Sequence, residues 1–173
     1  LNLVTDVFPA LALGVGPGRP GLMREGPRSS HEGILSRRYW IEIGLYGVIM
    51  AVITLGAMFV AVSALGFDVA HAVTIAFSTL ALAQMWHVFN MRGDMKRVFD
   101  NEITRNPWIW AALALCLALV LAAIYVPVLS DVLRLADPGV AGWTLILAAS
   151  LVPLLLAPLV HRVRPRANAR DDT

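Results

Sequence analysis

Charged residues are scarce in this chain of 173 residues, and cysteine is almost absent. Asp, Glu, Lys and Arg make up 15% of the residues, whereas apolar residues make up 58% and the mean hydropathy is +0.69. Ordinary soluble domains are roughly 45–50% apolar and about 25% charged. The single cysteine, Cys116, excludes an internal disulfide and is interpreted as a small apolar residue. The composition therefore indicates a membrane protein.

Four long segments contain no charged residue at all. A helix needs about 20 apolar residues to cross a hydrocarbon core of about 30 Å, and each segment meets that length. The segments are 43–67, 69–91, 106–130 and 138–160. Together with a shorter helix at the start of the chain, they predict an all-α membrane protein, a polytopic helix bundle with the end of one transmembrane helix and four full transmembrane helices. The predicted helices lie at about 1–15, 39–66, 69–91, 106–128 and 139–161.

Turn residues and prolines predict the connections between these helices. Gly66 and Asp68 leave room for only a very short connection, so the first two full spans should form a tight antiparallel hairpin. Pro127 and Pro138 bound a longer loop on the same side of the bilayer. Pro153 falls inside the last predicted helix, as does Pro158, and such prolines kink a helix.

The basic residues predict the orientation of the bundle. Thirteen of the 14 lie in 16–42, in 92–105 and in the tail from Arg162, three segments that successive crossings place on one side; Arg134 is the exception. Loops rich in Lys and Arg stay on the cytoplasmic side. We therefore expect an integral protein of the plasma (inner) membrane with a cytoplasmic C-terminus and a disordered cytoplasmic tail at 165–173. Because topology explains the arginines, no nucleic-acid partner is expected.

The first segment places polar side chains in an apolar run. In a helix, Asn2, Thr5 and Asp6 stand at i, i+3 and i+4, so their oxygens share one face. Pro9 has no N–H, so the Thr5 carbonyl loses its helical partner and can face a ligand. Oxygen donors suit a hard cation such as calcium, and an Asp near mid-membrane costs about 2.5–3.5 kcal/mol on insertion scales. The sequence predicts a cation site here, with a structural interhelical hydrogen bond as the alternative.

These residues carry a family resemblance. The run from Asn2 through Thr5, Asp6 and Pro9 to Gly14 resembles the sixth transmembrane helix of P-type cation-transporting ATPases, in the branch with the reticulum calcium pumps and their bacterial relatives. Further matches to that family are Pro20, Met23, Arg24, Pro27 and Arg28 in the following loop, Arg37, Gly47 and Thr54 in the seventh helix, Asn90 with Arg92 at the end of the eighth, and Asn106-Pro107-Trp108 at the start of the ninth. The resemblance spans nearly the whole chain.

The resemblance implies roles for individual residues. Asp6 would be a charged ligand of the transported cation, and Asn2 and Thr5 would be neutral donors. Gln84 aligns with an eighth-helix position that is glutamate in the two-site reticulum pumps and glutamine in plasma-membrane-type pumps, which favours one ion per cycle. A plain interhelical hydrogen bond is the alternative role for Gln84, and His87 and Asn90 are interpreted as packing residues. Calcium is the expected cation; sodium, proton and manganese are the alternatives.

Two motifs of that family do not occur in this sequence. They are the D-K-T-G-T of the phosphorylated aspartate and the T-G-E of dephosphorylation. We therefore assign no catalytic and no cofactor-binding residue, and ATP and magnesium would act only through an N-terminal part. Because Leu1 is not an initiator, we expect residues 1–164 to be the C-terminal membrane domain of a larger pump. Its partners would be the lipid bilayer and the N-terminal remainder, with helices one to six and the cytoplasmic domains.

Two other functions stay open on the sequence alone. The chain could be a free-standing, non-enzymatic membrane protein or regulatory remnant. It could also be a fragment of a secondary transporter that uses Asp6 as a proton or sodium site. That second function predicts inverted repeats and paired broken helices, and only the first segment, at Pro9, shows such a break.

Overall fold

The computed structural model describes residues 2–15, 37–91 and 104–163. This part of the chain contains seven α-helices and a short 3-10 turn at Val88–Met91. The helices are α1 (Asn2–Gly14), α2 (Arg37–Ser63), α3 (Val69–His87), α4 (Pro107–Tyr125), α5 (Pro127–Leu133), α6 (Gly139–Ser150) and α7 (Val152–Val163). The predicted tail at 165–173 lies outside the described residues, as do most of the basic connections.

Four helical stretches are long and apolar enough to cross a membrane. They are Tyr39–Ser63, Val69–Asn90, Pro107–Tyr125 and Gly139–Pro158. The described residues contain no strand. The prediction of an all-α polytopic bundle is confirmed, with α1 as an additional, shorter helix.

The connection between α2 and α3 is the tight hairpin that the sequence predicts. Gly66 has a φ of +66°, a left-handed conformation that glycine adopts without the steric penalty of a side chain. The Phe67 N–H donates to the Ala61 carbonyl at 3.0 Å and so closes the end of α2. Asp68 then caps α3, because its carboxylate accepts from the His71 N–H.

Prolines shape the last span and the connection that precedes it. The last span is divided at Leu151, two residues before Pro153, in agreement with the predicted kink. The loop expected between the third and fourth spans is in part helical, since α5 occupies Pro127–Leu133. Proline is favoured at the first position of a helix because its φ is already helical and its missing N–H is not needed there.

The core of the bundle forms around α3, which is the most buried of the four spans, whereas α2 is the least. One apolar cluster joins α3 to α2, α4 and α6 and includes Ile75, Leu82, Val120 and Ile146. A second cluster joins α1 to the end of α3 and the start of α4; its buried members are Ala12, Val88, Phe89, Ile109, Ala112 and Leu113. Both clusters bring helices that are distant in sequence against α3.

Candidate cation site

The backbone of α1 carries the three predicted donors on one helix face. The helix is continuous from Asn2 through Thr5 and Asp6 to Gly14, with Pro9 inside it. At about 100° per residue, positions 2, 5 and 6 fall within an arc of about 100°. The structure describes the backbone of these three residues but not their side chains. The structure thus supports the helical spacing on which the predicted donor set depends.

The break expected at Pro9 is not present, and that prediction is wrong. Proline has a φ close to that of an α-helix, so α1 continues through Pro9 while the hydrogen bond to the carbonyl four residues earlier is lost. Here that carbonyl belongs to Thr5. Pro9 is buried, so the helix is packed against its neighbours at the position where its own hydrogen bonding is weakest.

The C-terminal half of α1 packs against α3 and α4. Phe8 and Ala12 belong to the same apolar cluster as Met85 of α3, Phe89 of the 3-10 turn that follows it, and Ala112 of α4. The rings of Phe89 and Trp110 are 5.6 Å apart, which links the 3-10 turn after α3 to the start of α4. The ends of α1 and α3 therefore meet the start of α4 at one end of the bundle.

Gln84 lies on α3 next to Met85, which belongs to the apolar cluster that joins α3 to α1. The Gln84 side chain is half-buried, and its carbonyl oxygen Oε1 is fully buried. Gln84 thus contributes a buried amide oxygen to the interior of the bundle.

His87 and Asn90, which the sequence assigns to packing, make packing contacts. The His87 ring lies 4.3 Å from the Tyr46 ring of α2. The Asn90 Nδ2 donates to the Pro153 carbonyl at 3.2 Å and lies 3.3 Å from His87 Nδ1. These contacts join the end of α3 to α2 and to α7.

Buried hydroxyls on α3 are polar features that the sequence analysis missed. Thr74 Oγ1 donates to the Ala70 carbonyl and accepts from the Ala136 N–H, each at 2.9 Å. Ser78 and Thr79 are fully buried, and their hydroxyls have no hydrogen-bond partner among the described residues. Their signal in the sequence is a set of three hydroxyl residues, at i, i+4 and i+5, in an apolar span.

Asn106 is the second feature that the sequence analysis missed, because the sequence shows only that it precedes Pro107 and not which helix its side chain contacts. Its side chain is buried between α1 and α4. The Oδ1 atom accepts from the Trp108 N–H at 3.0 Å, which caps α4. The Nδ2 atom donates to the Ala12 carbonyl of α1 at 2.9 Å.

Comparison with known proteins gives a family match over nearly the whole chain. A family model described as "Cation transporting ATPase, C-terminus" matches residues 1–163. A calcium-transporting ATPase of Bacillus subtilis is 32% identical over 156 residues, which cover 90% of this chain and 17% of that protein.

Two further relatives carry the same kind of name. Calcium-transporting ATPase 1 of Bacillus cereus is 29% identical over 175 residues, which cover 92% of this chain and 20% of that protein. Calcium-transporting ATPase 1 of Lactococcus lactis is 29% identical over 144 residues, which cover 83% of this chain and 16% of that protein. The chain thus spans at most 20% of the length of these three relatives.

Proposed function

Because this chain belongs to the family of cation-transporting ATPase C-terminal regions, we propose that it is the C-terminal membrane domain of an ATP-driven P-type pump. In that role it completes the intramembrane cation site and anchors the helices that move during transport. Family membership and the four apolar helices make it an integral membrane protein. Its partners are the lipid bilayer and the N-terminal remainder of the pump, which supplies the ATP chemistry.

The observation that carries the proposal is the placement of the donors. Asn2, Thr5 and Asp6 share one face of α1, and Gln84 is a half-buried residue of α3, which packs against α1. Pro9 leaves the Thr5 carbonyl without its usual partner, which adds a backbone oxygen to the same face. One carboxylate, neutral side-chain oxygens and a carbonyl form a donor set for a hard cation.

Calcium is the cation that we propose. The relatives are named calcium-transporting, and calcium prefers six to eight oxygen ligands. Asp6 supplies charge, while Asn2, Thr5 and Gln84 are neutral. Because Gln84 carries no charge, this chain offers one carboxylate to the site, which favours one ion per cycle.

The test is a cation titration of phosphoenzyme formation in the complete pump. Asp6→Asn removes the charge at nearly constant volume, so it should abolish cation-dependent phosphorylation from ATP while the protein still reaches the membrane. Thr5→Val and Asn2→Ala should raise the calcium concentration for half-maximal phosphorylation by smaller factors. Gln84→Ala should have the mildest effect if one site operates.

Asp137→Asn is the matched control for the loss of a carboxylate. Asp137 accepts from the Tyr125 hydroxyl and the Gly139 N–H, both at 3.0 Å, and lies in the connection before α6. The proposal expects calcium affinity to be unchanged in this control. Unchanged affinity in Asp6→Asn would make its carboxylate structural and overturn the site. A Gln84 effect as large as that of Asp6 would overturn the one-ion proposal.

A further inference from the structure

Asn106 uses the two ends of one side-chain amide to cap two different helices. Its oxygen caps the start of α4 at the Trp108 N–H, and its nitrogen donates to Ala12 in the last turn of α1. Carbonyls in the last turn of a helix lack an intrahelical partner and need another donor. The two bonded positions, Ala12 and Asn106, are 94 residues apart in the sequence.

The hydrogen bond between Asn106 and Ala12 is shielded from water. Asn106 is 5% exposed and Ala12 is 6% exposed, so water has little access to either. Ala12 also packs in the apolar cluster with Ile109 and Ala112, which lie one and nearly two turns further along α4. A hydrogen bond in such surroundings is electrostatically stronger than one in water, and an unpaired partner is correspondingly costly. The bond and the packing together hold α1 against α4.

The anchored turn and the donor face lie on opposite sides of Pro9. Ala12 is six residues from Asp6, about 9 Å along the axis. The turn between them lacks the hydrogen bond from position 9 to the Thr5 carbonyl. With that turn weakened, the position of Asp6 depends on how firmly the following turn is held.

We propose that Asn106 is a positioning residue for the cation site: its Nδ2 bond to the Ala12 carbonyl sets the height and rotation of α1 against α4, and thereby the placement of Asp6, Thr5 and Asn2. This proposal rests on the proposed function of α1. Asn106 itself does not touch the cation and acts only through α1.

The variants Asn106→Ser and Asn106→Asp separate the two caps. Serine and aspartate are both favoured N-cap residues, so each keeps an acceptor for the Trp108 N–H. Neither side chain carries the amide nitrogen that reaches the Ala12 carbonyl. Asn106→Ala removes both caps. The matched control is Asn90→Ser, which removes another amide bond between helices, to the Pro153 carbonyl, without touching α1.

The measurement is the calcium titration of phosphoenzyme formation in the complete pump, with the maximal level and the half-maximal concentration read separately. Asn106→Ser and Asn106→Asp should raise the half-maximal calcium concentration by about threefold to tenfold, as expected for one lost buried hydrogen bond, and leave the maximal level per membrane-inserted pump unchanged. Asn90→Ser should leave the half-maximal concentration unchanged. The bond from Asn90 to Pro153 is purely structural, so its loss should change only the amount of folded protein.

Three outcomes would overturn the positioning role. The first is an unchanged half-maximal calcium concentration in Asn106→Ser and Asn106→Asp while Asp6→Asn loses calcium-dependent phosphorylation. This result would leave the proposed function intact. The second is an equal shift in Asn90→Ser. The third is the loss of both Asn106 variants from the membrane, because the residue would then be required for folding. A pump in which Asp6→Asn has no effect refutes the proposed function itself.

Discussion

The ionisation of Asp68 is linked to the cap at the start of α3. Its carboxylate accepts from the His71 N–H at 3.0 Å and lies 2.5 Å from His71 Nδ1. The bond from the His71 N–H, and after it the bond from the His71 ring, lower the pKa of Asp68 below its ordinary value of 3.8. The Phe67 ring stacks on the His71 ring at 5.4 Å, which holds the imidazole at the start of α3.

Because the pKa of Asp68 is lower in the folded protein, folding favours its carboxylate form. The resulting stabilisation is fully present above about pH 5 and is lost as the pH falls through the lowered pKa. As the pH falls, the thermal unfolding midpoint in detergent should fall less steeply for Asp68→Asn than for the unmodified protein. Asparagine keeps a capping oxygen but carries no charge. Asp68→Ala should be less stable at every pH, since it loses the cap. Parallel curves for Asp68→Asn and the unmodified protein between about pH 3 and 6 would contradict this prediction.

Helix α6 approaches α3 closely at Gly142. A Cβ atom placed there would lie 2.6 Å from Pro138 Cβ and 3.4 Å from Ile75 Cδ1. Pro138 is the N-cap of α6, and its ring has no alternative rotamer that would relieve the contact. The absence of a side chain at Gly142 therefore lets α6 begin where it does and pack against the central helix.

We expect Gly142→Ala to lower the free energy of unfolding by about 1–3 kcal/mol, because the added methyl group overpacks the contact with Pro138. Gly56→Ala is the matched control. Gly56 lies on the exposed face of α2 with nothing within 4 Å of an added Cβ, so alanine there should be neutral or stabilising by up to about 1 kcal/mol. Denaturant unfolding in detergent would measure both variants. Equal effects at the two glycines would show that the α3–α6 contact adjusts freely.

At the scale of the whole molecule, the connections at one end of the bundle are tied together by side chains. The Trp143 Nε1 donates to the Tyr125 hydroxyl at 2.9 Å, and that hydroxyl donates to Asp137. The Ala136 N–H donates to Thr74 on α3. The α4–α6 connection is thus fastened to three helices, at the end that the charge pattern assigns to the outside.

The topology prediction is tested with single cysteines in a Cys116→Ala background. Positions Ser29 and Asp94 are expected in the cytoplasm and Asp131 outside, because the basic connections stay on the cytoplasmic side. Asp131→Cys should react with an impermeant thiol reagent in intact cells. Ser29→Cys and Asp94→Cys should react only after permeabilisation, and the background protein should not react, since its one cysteine, Cys116, has been replaced. Labelling of Ser29→Cys or Asp94→Cys but not Asp131→Cys in intact cells would reverse the assignment.

The sequence by itself determined the class of the protein, the number of spans and the helical spacing of the predicted donors on α1. Hydrocarbon tolerates few charges, so runs without Asp, Glu, Lys or Arg identify the crossings. The spacing of Asn2, Thr5 and Asp6 is a property of one helix and needs no information about its neighbours. Pro153 likewise predicted a kink from local geometry alone. Pro9 did not break α1, because proline can occupy a helical conformation while it removes one hydrogen bond.

Only the tertiary structure decided which helix is central and which faces meet. Transmembrane helices are apolar on every side, so hydropathy does not distinguish a face that touches lipid from one that touches another helix. The bond between Asn106 and Ala12 and the contact of Gly142 with Ile75 both join segments that are distant along the chain. Such contacts depend on how the helices pack in three dimensions, which local residue patterns do not contain.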